Sequence, residues 1–390
     1  MTVAVAFPFV DVQIDTKGLQ PIAQRSPGVL AIVGVGGGAA TNYTPVPIYT
    51  LDDATQFCAG GVTESPLYRS IRIALLQSPR PSLIYGVQIE VAATDDDYKA
   101  GLAALDAADD VTFVCLAEKP VVAVVGQATP NVAVGYLRDH CEANSAAGQK
   151  RIGVAHISTA ITKATALADV IGFTNSAKST TSRMVMIAAR GADNGDPNNK
   201  PDVAAASASA IAGLPVAASA VLKPVVGFQL PIAQQYTPSE IIGLSQAMII
   251  PIIDPALIPG ESLHFAEGSC FTTNADLRYI DTVRLLDDID FRLRAGLIGL
   301  VGDSTITRAG LNAVVNRAEA VLEGYINAGI TDYSVIIPVL EILRLPESAR
   351  SPGETLLVQT SRQTRTVAVT VVITMGPAIH TLNITLLPTY

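Results

Sequence analysis

Gly34, Gly36 and Ala39 have the G-x-G-x-x-A spacing that can cradle a dinucleotide pyrophosphate. They close an apolar run, Val29 to Val35, and Asp52 lies downstream where a ribose-binding carboxylate would sit. That chemistry needs a helix opening at the glycines, so that its free N-terminal amides hold the anion. Here the chain continues ATNYTPVPIYT, and Pro45 and Pro47 remove donors and block the helical turn where that helix must run. A glycine turn is therefore the first reading, and a nucleotide-dependent α/β enzyme using the Gly34-Gly36 loop is the alternative. Thr94 with Asp95, Asp96 and Asp97 could bind a cation, but oxygen and negative charge at this spacing suit the free amides of a first helical turn. Asp193, Asn194 and Asp196 begin like a calcium loop that lacks its closing bidentate Glu. His140, Cys141 and Glu142 are consecutive, and consecutive helical side chains diverge.

No G-x-S-x-G elbow, H-E-x-x-H pair or G-x-x-x-x-G-K-[ST] loop occurs, and the chain has only four His. Cys58, Cys115, Cys141 and Cys270 form no C-x-x-C pair, which suits reduced thiols in a cytoplasmic compartment. The expectation is no catalytic residue, no cofactor and no metal.

The elements that surround these residues come next. With 390 residues the chain is long enough for two or three domains. Its hydrophobic content is 49% against 16% charged, so extensive burial between subunits is expected. A net charge of -9 argues against nucleic acid as a partner, because phosphate binding needs a cationic face. No basic region precedes an apolar run at the start, which predicts no secretory signal. The most membrane-like window, Val203 to Leu222, is built from Ala and Ser and broken by Pro215, so no membrane insertion is expected.

Phe9 to Asp15 alternate apolar and polar as in a strand with one buried face. From Leu51 strand and helix signals alternate: helices at Asp52 to Cys58 and Pro66 to Leu76, the strand LIYGVQIEV, a helix from Thr94 to about Ala108, then VTFVCLA. A helix near Ala133 to Ala146, the strand IGVAHIS, a helix near Thr162 to Ile171 and the strand MVMIAA follow. This alternation predicts an α/β fold with a mostly parallel sheet and flanking helices. Residues 191–202 read as a loop.

The terminal third carries a long helix, Asp276 to Leu297, on which Arg284, Asp288 and Arg292 stack at intervals of four and Asp290 reaches Arg294. Ser304 or Thr307 caps a second helix that ends at Gly329. A strand from Tyr333 to Leu343, a polar loop and a strand from Thr366 to Thr374 follow. Last comes HTLNITLL, with Leu382, Ile384 and Leu386 on one face, which needs a sheet to join, its own or a neighbour's.

Read as a whole, the chain resembles the sheath proteins of contractile phage tails, tailocins and contractile injection systems. The resemblance is carried by SPGVLAIVG, PVPIYTLDDATQFCAGG, YRSIRIALLQ, DDDYKAGLAALDAADDVTFVCLAE, SASAIAGLP and, most specifically, FTTNADLRYIDTVRLLDDIDFRLRAGLIG. The family's usual Trp residues are absent, and Thr282-Val283-Arg284 replaces its paired Arg before the long helix.

The resemblance implies a structural, non-enzymatic subunit that assembles in the cytoplasm into stacked hexameric rings around an inner tube. Its partners are then other copies, the tube protein, and baseplate and terminal cap proteins. It further implies a subtilisin-like but non-catalytic outer α/β domain at 23-262 and an α+β inner domain at 263-376. An N-terminal arm and linker at 1-22 and a C-terminal arm at 377-390 then donate strands to neighbours through Phe9, Val10, Val12, Ile14, Leu382, Ile384 and Leu386. A further expectation is that Arg284, Asp288 and Arg292 face the tube through weak, exposed pairs, against the plainer reading of a solvated helix face.

Overall fold

The computed structural model describes residues 26, 28–122, 131–196, 200–255, 258 and 263–380. The arm residues Phe9, Val10, Val12, Ile14, Leu382, Ile384 and Leu386 lie outside them. The described residues form two compact units, 26–288 with 377–380, and 289–376. The boundary falls later than the expected 262/263, because a short strand at 263–265 pairs into the sheet of the first unit.

That unit is wound around one sheet. Val29–Val35 (β1) leads into the edge strand Pro45–Ile48 (β2), and Pro66–Leu75 (α1) crosses to Leu83–Ile89 (β3). Asp95–Ala103 (α2), Phe113–Leu116 (β4), Val132–Ala146 (α3), Ile152–His156 (β5), Leu167–Thr174 (α4) and Met184–Ala188 (β6) continue the alternation. Val203–Gly213 (α5), Pro224–Val225 (β7), Pro238–Gln246 (α6), Ile250–Ile253 (β8) and Leu263–Phe265 (β9) complete it. The nine strands lie in the order β2-β3-β1-β4-β5-β6-β8-β9-β7. Pairing is parallel from β3 through β8 and antiparallel at both margins. The mostly parallel sheet expected from the sequence is thus present, and the prolines of β2 sit on an edge strand, where a missing N–H does least harm.

The strands are apolar throughout because both faces are covered. Leu30, Ile32, Phe113, Val154 and Ile187 pack with α1 and α5. Val29, Ala31, Val33, Val114 and Met186 pack with α2 and α3 on the other side. Each such Leu, Ile or Val contributes roughly 1.5–3 kcal/mol on full burial. The Ala/Ser window read as least unlike a membrane span is α5, an eleven-residue helix buried in this core. Glycine at two contacts near its C-terminal end lets backbones close in: a Cβ at Gly28 would stand 2.2 Å from the Ala212 oxygen, and one at Gly213 2.1 Å from that of Pro79. Among the described residues no helix is long and apolar enough to cross a membrane.

The long helix is Ile280–Leu297 (α7). It starts later than expected because Thr272 Oγ1 accepts from the Asn274 amide and Asn274 Oδ1 from the Asp276 amide, local bonds that compete with helix. Arg308–Leu322 (α8) is capped by Thr307, whose side chain accepts from the Gly310 amide. Beyond it the structure corrects two expectations. The strand ends early, as Ile330–Ile336 (β10), and Pro338 opens a helix, Pro338–Arg344 (α9). The polar loop contains a helix, Pro352–Thr364 (α10), with a Ser351/Glu354 capping box. Thr370–Met375 (β11) then pairs antiparallel with β10. Leu311, Leu340, Leu343 and Val358 form the small core of this unit. Charge is divided unequally: residues 26–288 hold 25 acidic and 16 basic side chains, whereas 289–376 hold eight of each, its eight bases all Arg.

Arg151 is fully buried and donates to the Leu105 and Ala108 carbonyls, with His140 Nε2 at 2.8 Å from its guanidinium. His140 Nε2 must accept there, so the ring is neutral. Burial first, and Arg151 second, bring the His140 pKa down to about 4. A base whose folded pKa lies below its unfolded value gives stability that is complete above pH 6.5 and is lost as pH falls toward 4. Urea unfolding should therefore show a loss on the order of 2 kcal/mol between those limits that His140→Gln largely abolishes.

Candidate functional site

The sequence-predicted sites resolve into separate places. The glycine turn after β1 has no helix behind it, and its amides are occupied: Gly37 N and Gly38 N donate to Gln88 Oε1 at 3.1 and 3.2 Å. A Cβ at Gly36 would meet that same oxygen at 2.0 Å, so a larger residue there would displace the Gln88 side chain from the loop amides. A pyrophosphate would have to displace a side chain already bonded to the loop. The Asp95–Asp97 carboxylates diverge, Asp95 to Lys119 at 2.8 Å, Asp96 to the Tyr136 hydroxyl at 3.2 Å, and Asp97 to the Thr94 amide at 2.7 Å. Asp97 forms the capping box of α2 with Thr94. Asp193 and Asn194 accept amides of their own loop. Among the described residues no group of three His, Cys, Asp or Glu is placed to hold a metal.

One constellation was not legible in the sequence. Ser70, Asp202 and His156, far apart in the chain, meet at the N-terminus of α5, all buried. Ser70 Oγ donates to Asp202 Oδ2 at 2.6 Å, and that oxygen also accepts the Glu118 amide at 2.9 Å. Asp202 Oδ1 accepts the Ala205 amide at 3.1 Å and stands 3.8 Å from His156 Nδ1, beyond hydrogen-bond reach. Ser, His and Asp are the residue types of a hydrolytic triad, but here the hydroxyl bonds the carboxylate instead of the imidazole and no base activates it. Burial also pushes the His156 pKa down. The arrangement caps a buried helix and clamps α1 and the segment after β4 to it.

The charged face of α7 differs from expectation at its first half. Arg284 is 4% exposed and Asp288 7%. The Arg284 guanidinium donates to the carbonyls of Leu214 at 2.8 Å and Pro215 at 3.3 Å, just past the end of α5, and lies 5.5 Å from the Phe113 ring. Burial lowers its pKa to about 10 while Asp288 and Asp281 oppose the shift, so it stays charged at neutral pH. Asp287 takes a bidentate bond from Arg183 at 2.5 and 2.9 Å. The expectation of weak, exposed, breakable pairs therefore fails for Arg284 and Asp288, which sit inside the first unit. Arg292, half-buried, lies 5.3 Å over the Tyr325 ring. The exposed cation of the helix is Arg294, paired with Asp290 at 3.0 Å as its spacing predicted.

The two-stranded sheet is the other feature with capacity for interaction. Tyr333 faces Ile373 and Val335 faces Val371 across β10 and β11 on one face, where the side chains are only half-buried. Ser334 and Ile336 face Val372 and Thr370 on the opposite, exposed face. Among the described residues no third strand pairs with β10 or β11, and a sheet this narrow buries too little to be stable without further cover.

No protein-family model matches the chain, and no curated protein matches it in sequence. Solved structures do. A chain from the anti-feeding prophage baseplate superposes with a TM-score of 0.68 at 11% identity, with both chains covered completely. A chain from the contracted sheath complex of PVC, an extracellular contractile injection system, gives 0.70 at 11% identity over 99% of this chain and 98% of that one. The sheath tail protein of Desulfitobacterium hafniense gives 0.57 at 11% identity over 85% and 93%. At such identity the likeness establishes the fold: the chain is folded as contractile sheath proteins are.

Because the guanidinium of Arg284 is surrounded by carbonyl oxygens, Arg284→Glu should destabilise the protein by about 3–5 kcal/mol in denaturant unfolding. Arg294→Glu, at a side chain 61% exposed, should change it by about 0.5 kcal/mol or less. Equal effects would contradict the buried placement of Arg284.

Proposed function

We propose that the chain is the structural subunit of a contractile sheath, polymerising as stacked six-membered rings around an inner tube and contracting to drive that tube through a target envelope. The observation that carries this reading is the fold likeness to a chain of a contracted sheath complex over nearly the full length of both chains. The margins of β10 and β11, which no third strand covers among the described residues, support it, since they offer acceptor sites for strands from other copies. The donors are the segments at 3–15 and 379–387, with Phe9, Val10, Val12, Ile14, Leu382, Ile384 and Leu386 supplying the apolar faces. Each backbone bond contributes only about 0.5–1.5 kcal/mol net. Several per strand, two strands per subunit and many subunits give a continuous mesh that survives rearrangement.

Work is then done by repacking subunits, so neither nucleotide nor catalytic group is needed. The partners are further copies, the tube protein, and baseplate and terminal cap proteins of a phage tail or injection particle. The tube contact belongs to the C-terminal half of α7, where Arg292 and the Asp290–Arg294 pair provide charges that can exchange partners.

Negative-stain microscopy of the purified protein should show rings or striated tubes, and dispersed monomers at every concentration would end this reading. Removing residues 381–390 should leave circular dichroism and thermal unfolding unchanged while abolishing polymer.

A further inference from the structure

Residues 377–380 group with the first unit although β11, just before them, belongs to the second. The side chain that holds them there is His380. Its Nε2 lies 2.9 Å from Ser219 Oγ, and its ring stands edge-on to Tyr279, with centroids 4.7 Å apart and planes at 89°. Neighbouring Ile379 is 78% exposed, so the grip is confined to one residue.

The receiving side is braced. Ser219 Oγ also accepts the Val221 amide at 3.2 Å, which fixes its rotamer. Tyr279 is bridged to Ser269 and carries the Arg278 guanidinium 5.5 Å from its ring. Arg278 is in turn held by Glu267 at 2.7 Å and by the Ser245 carbonyl at 3.2 Å. Tyr279 immediately precedes α7, whose first amide, Ile280 N, donates to the Gly268 carbonyl at 3.0 Å. His380 thus meets a braced socket.

We propose that His380 is a tether point that fixes the origin of the terminal segment 381–390 on the first unit, so that the segment reaches a second copy from a set place. This rests on the strand-donor reading above. An extended segment of ten residues spans at most about 33–36 Å. Release of His380 moves the origin of the free segment back to Gly376 and adds four residues. Effective concentration at the acceptor falls with about the −3/2 power of tether length, and the fixed direction is lost as well. His380 is in this sense a positioning residue for assembly and contributes little to the fold.

The test uses the full chain with Ile379→Cys carrying a nitroxide, the four native thiols being buried. Below the polymerisation threshold the label should be immobilised, should become mobile in His380→Ala and in Ser219→Ala, and should be partly immobilised again in His380→Gln, whose amide can reach the place of Nε2. In unlabelled chains His380→Ala should raise the threshold about two- to fivefold with unchanged thermal unfolding, and His380→Gln should restore it. A label already mobile in the unsubstituted chain overturns the anchor. Immobilisation by His380 with identical thresholds overturns its role in reach. Absence of polymer from the unsubstituted chain sinks the strand-donor reading and the reach role together, while label mobility still decides whether the anchor exists.

Discussion

Residues 26–288 are organised by the requirement that a fully buried helix have both its ends satisfied. The first amides and last carbonyls of a helix have no partners within it, and α5 lies where water cannot serve. The Asp202 carboxylate answers the N-terminus and the Arg284 guanidinium the C-terminus, each with the sign that the helix dipole favours. Each also recruits a distant element. Asp202 fixes Ser70 of α1 and the segment after β4, and Arg284 brings the first half of α7 against the end of α5. Gly28 and Gly213, which carry no Cβ, let neighbouring backbones approach the C-terminal end of α5 closely.

The same arrangement explains what the sequence could and could not tell. The parallel sheet was legible because strands covered on both faces are written as unbroken apolar runs, and the ends of β1, β3, β4, β5 and β6 fall close to those runs. The stretch around Pro338 reads as strand because YSVIIPVLEIL is apolar almost throughout and has no period to separate strand from helix. α10 was missed although Ser351, Pro352 and Glu354 carry a helix-start signature, as Thr237, Pro238 and Glu240 do for α6. The polarity of the surrounding segment suggested a loop. Arg284 was misplaced for a deeper reason. Charges at intervals of four look alike whether they face solvent or a buried helix terminus, and only the position of α5 distinguishes the two. The contact of Ser70, Asp202 and His156 depends on tertiary closure in the same way.

The unit at 289–376 follows a different logic. Its core is small, and its sheet has two strands whose better face is only half-covered. Among the described residues no third strand pairs with β10 or β11, and apolar side chains such as Val372 and Ile336 face outward.

The division of charge has a consequence for how copies approach one another. All of the net -9 resides in residues 26–288, while 289–376 is balanced. Two copies meeting through their balanced parts feel no net Coulomb barrier, and those meeting through the acidic parts must press like-charged surfaces together. At physiological ionic strength that repulsion extends about 8 Å, far enough to disfavour side-on aggregation without hindering contact elsewhere. The polypeptide thereby carries its own directionality: colloidal repulsion on one portion, permissive neutrality on the other, tunable by added electrolyte.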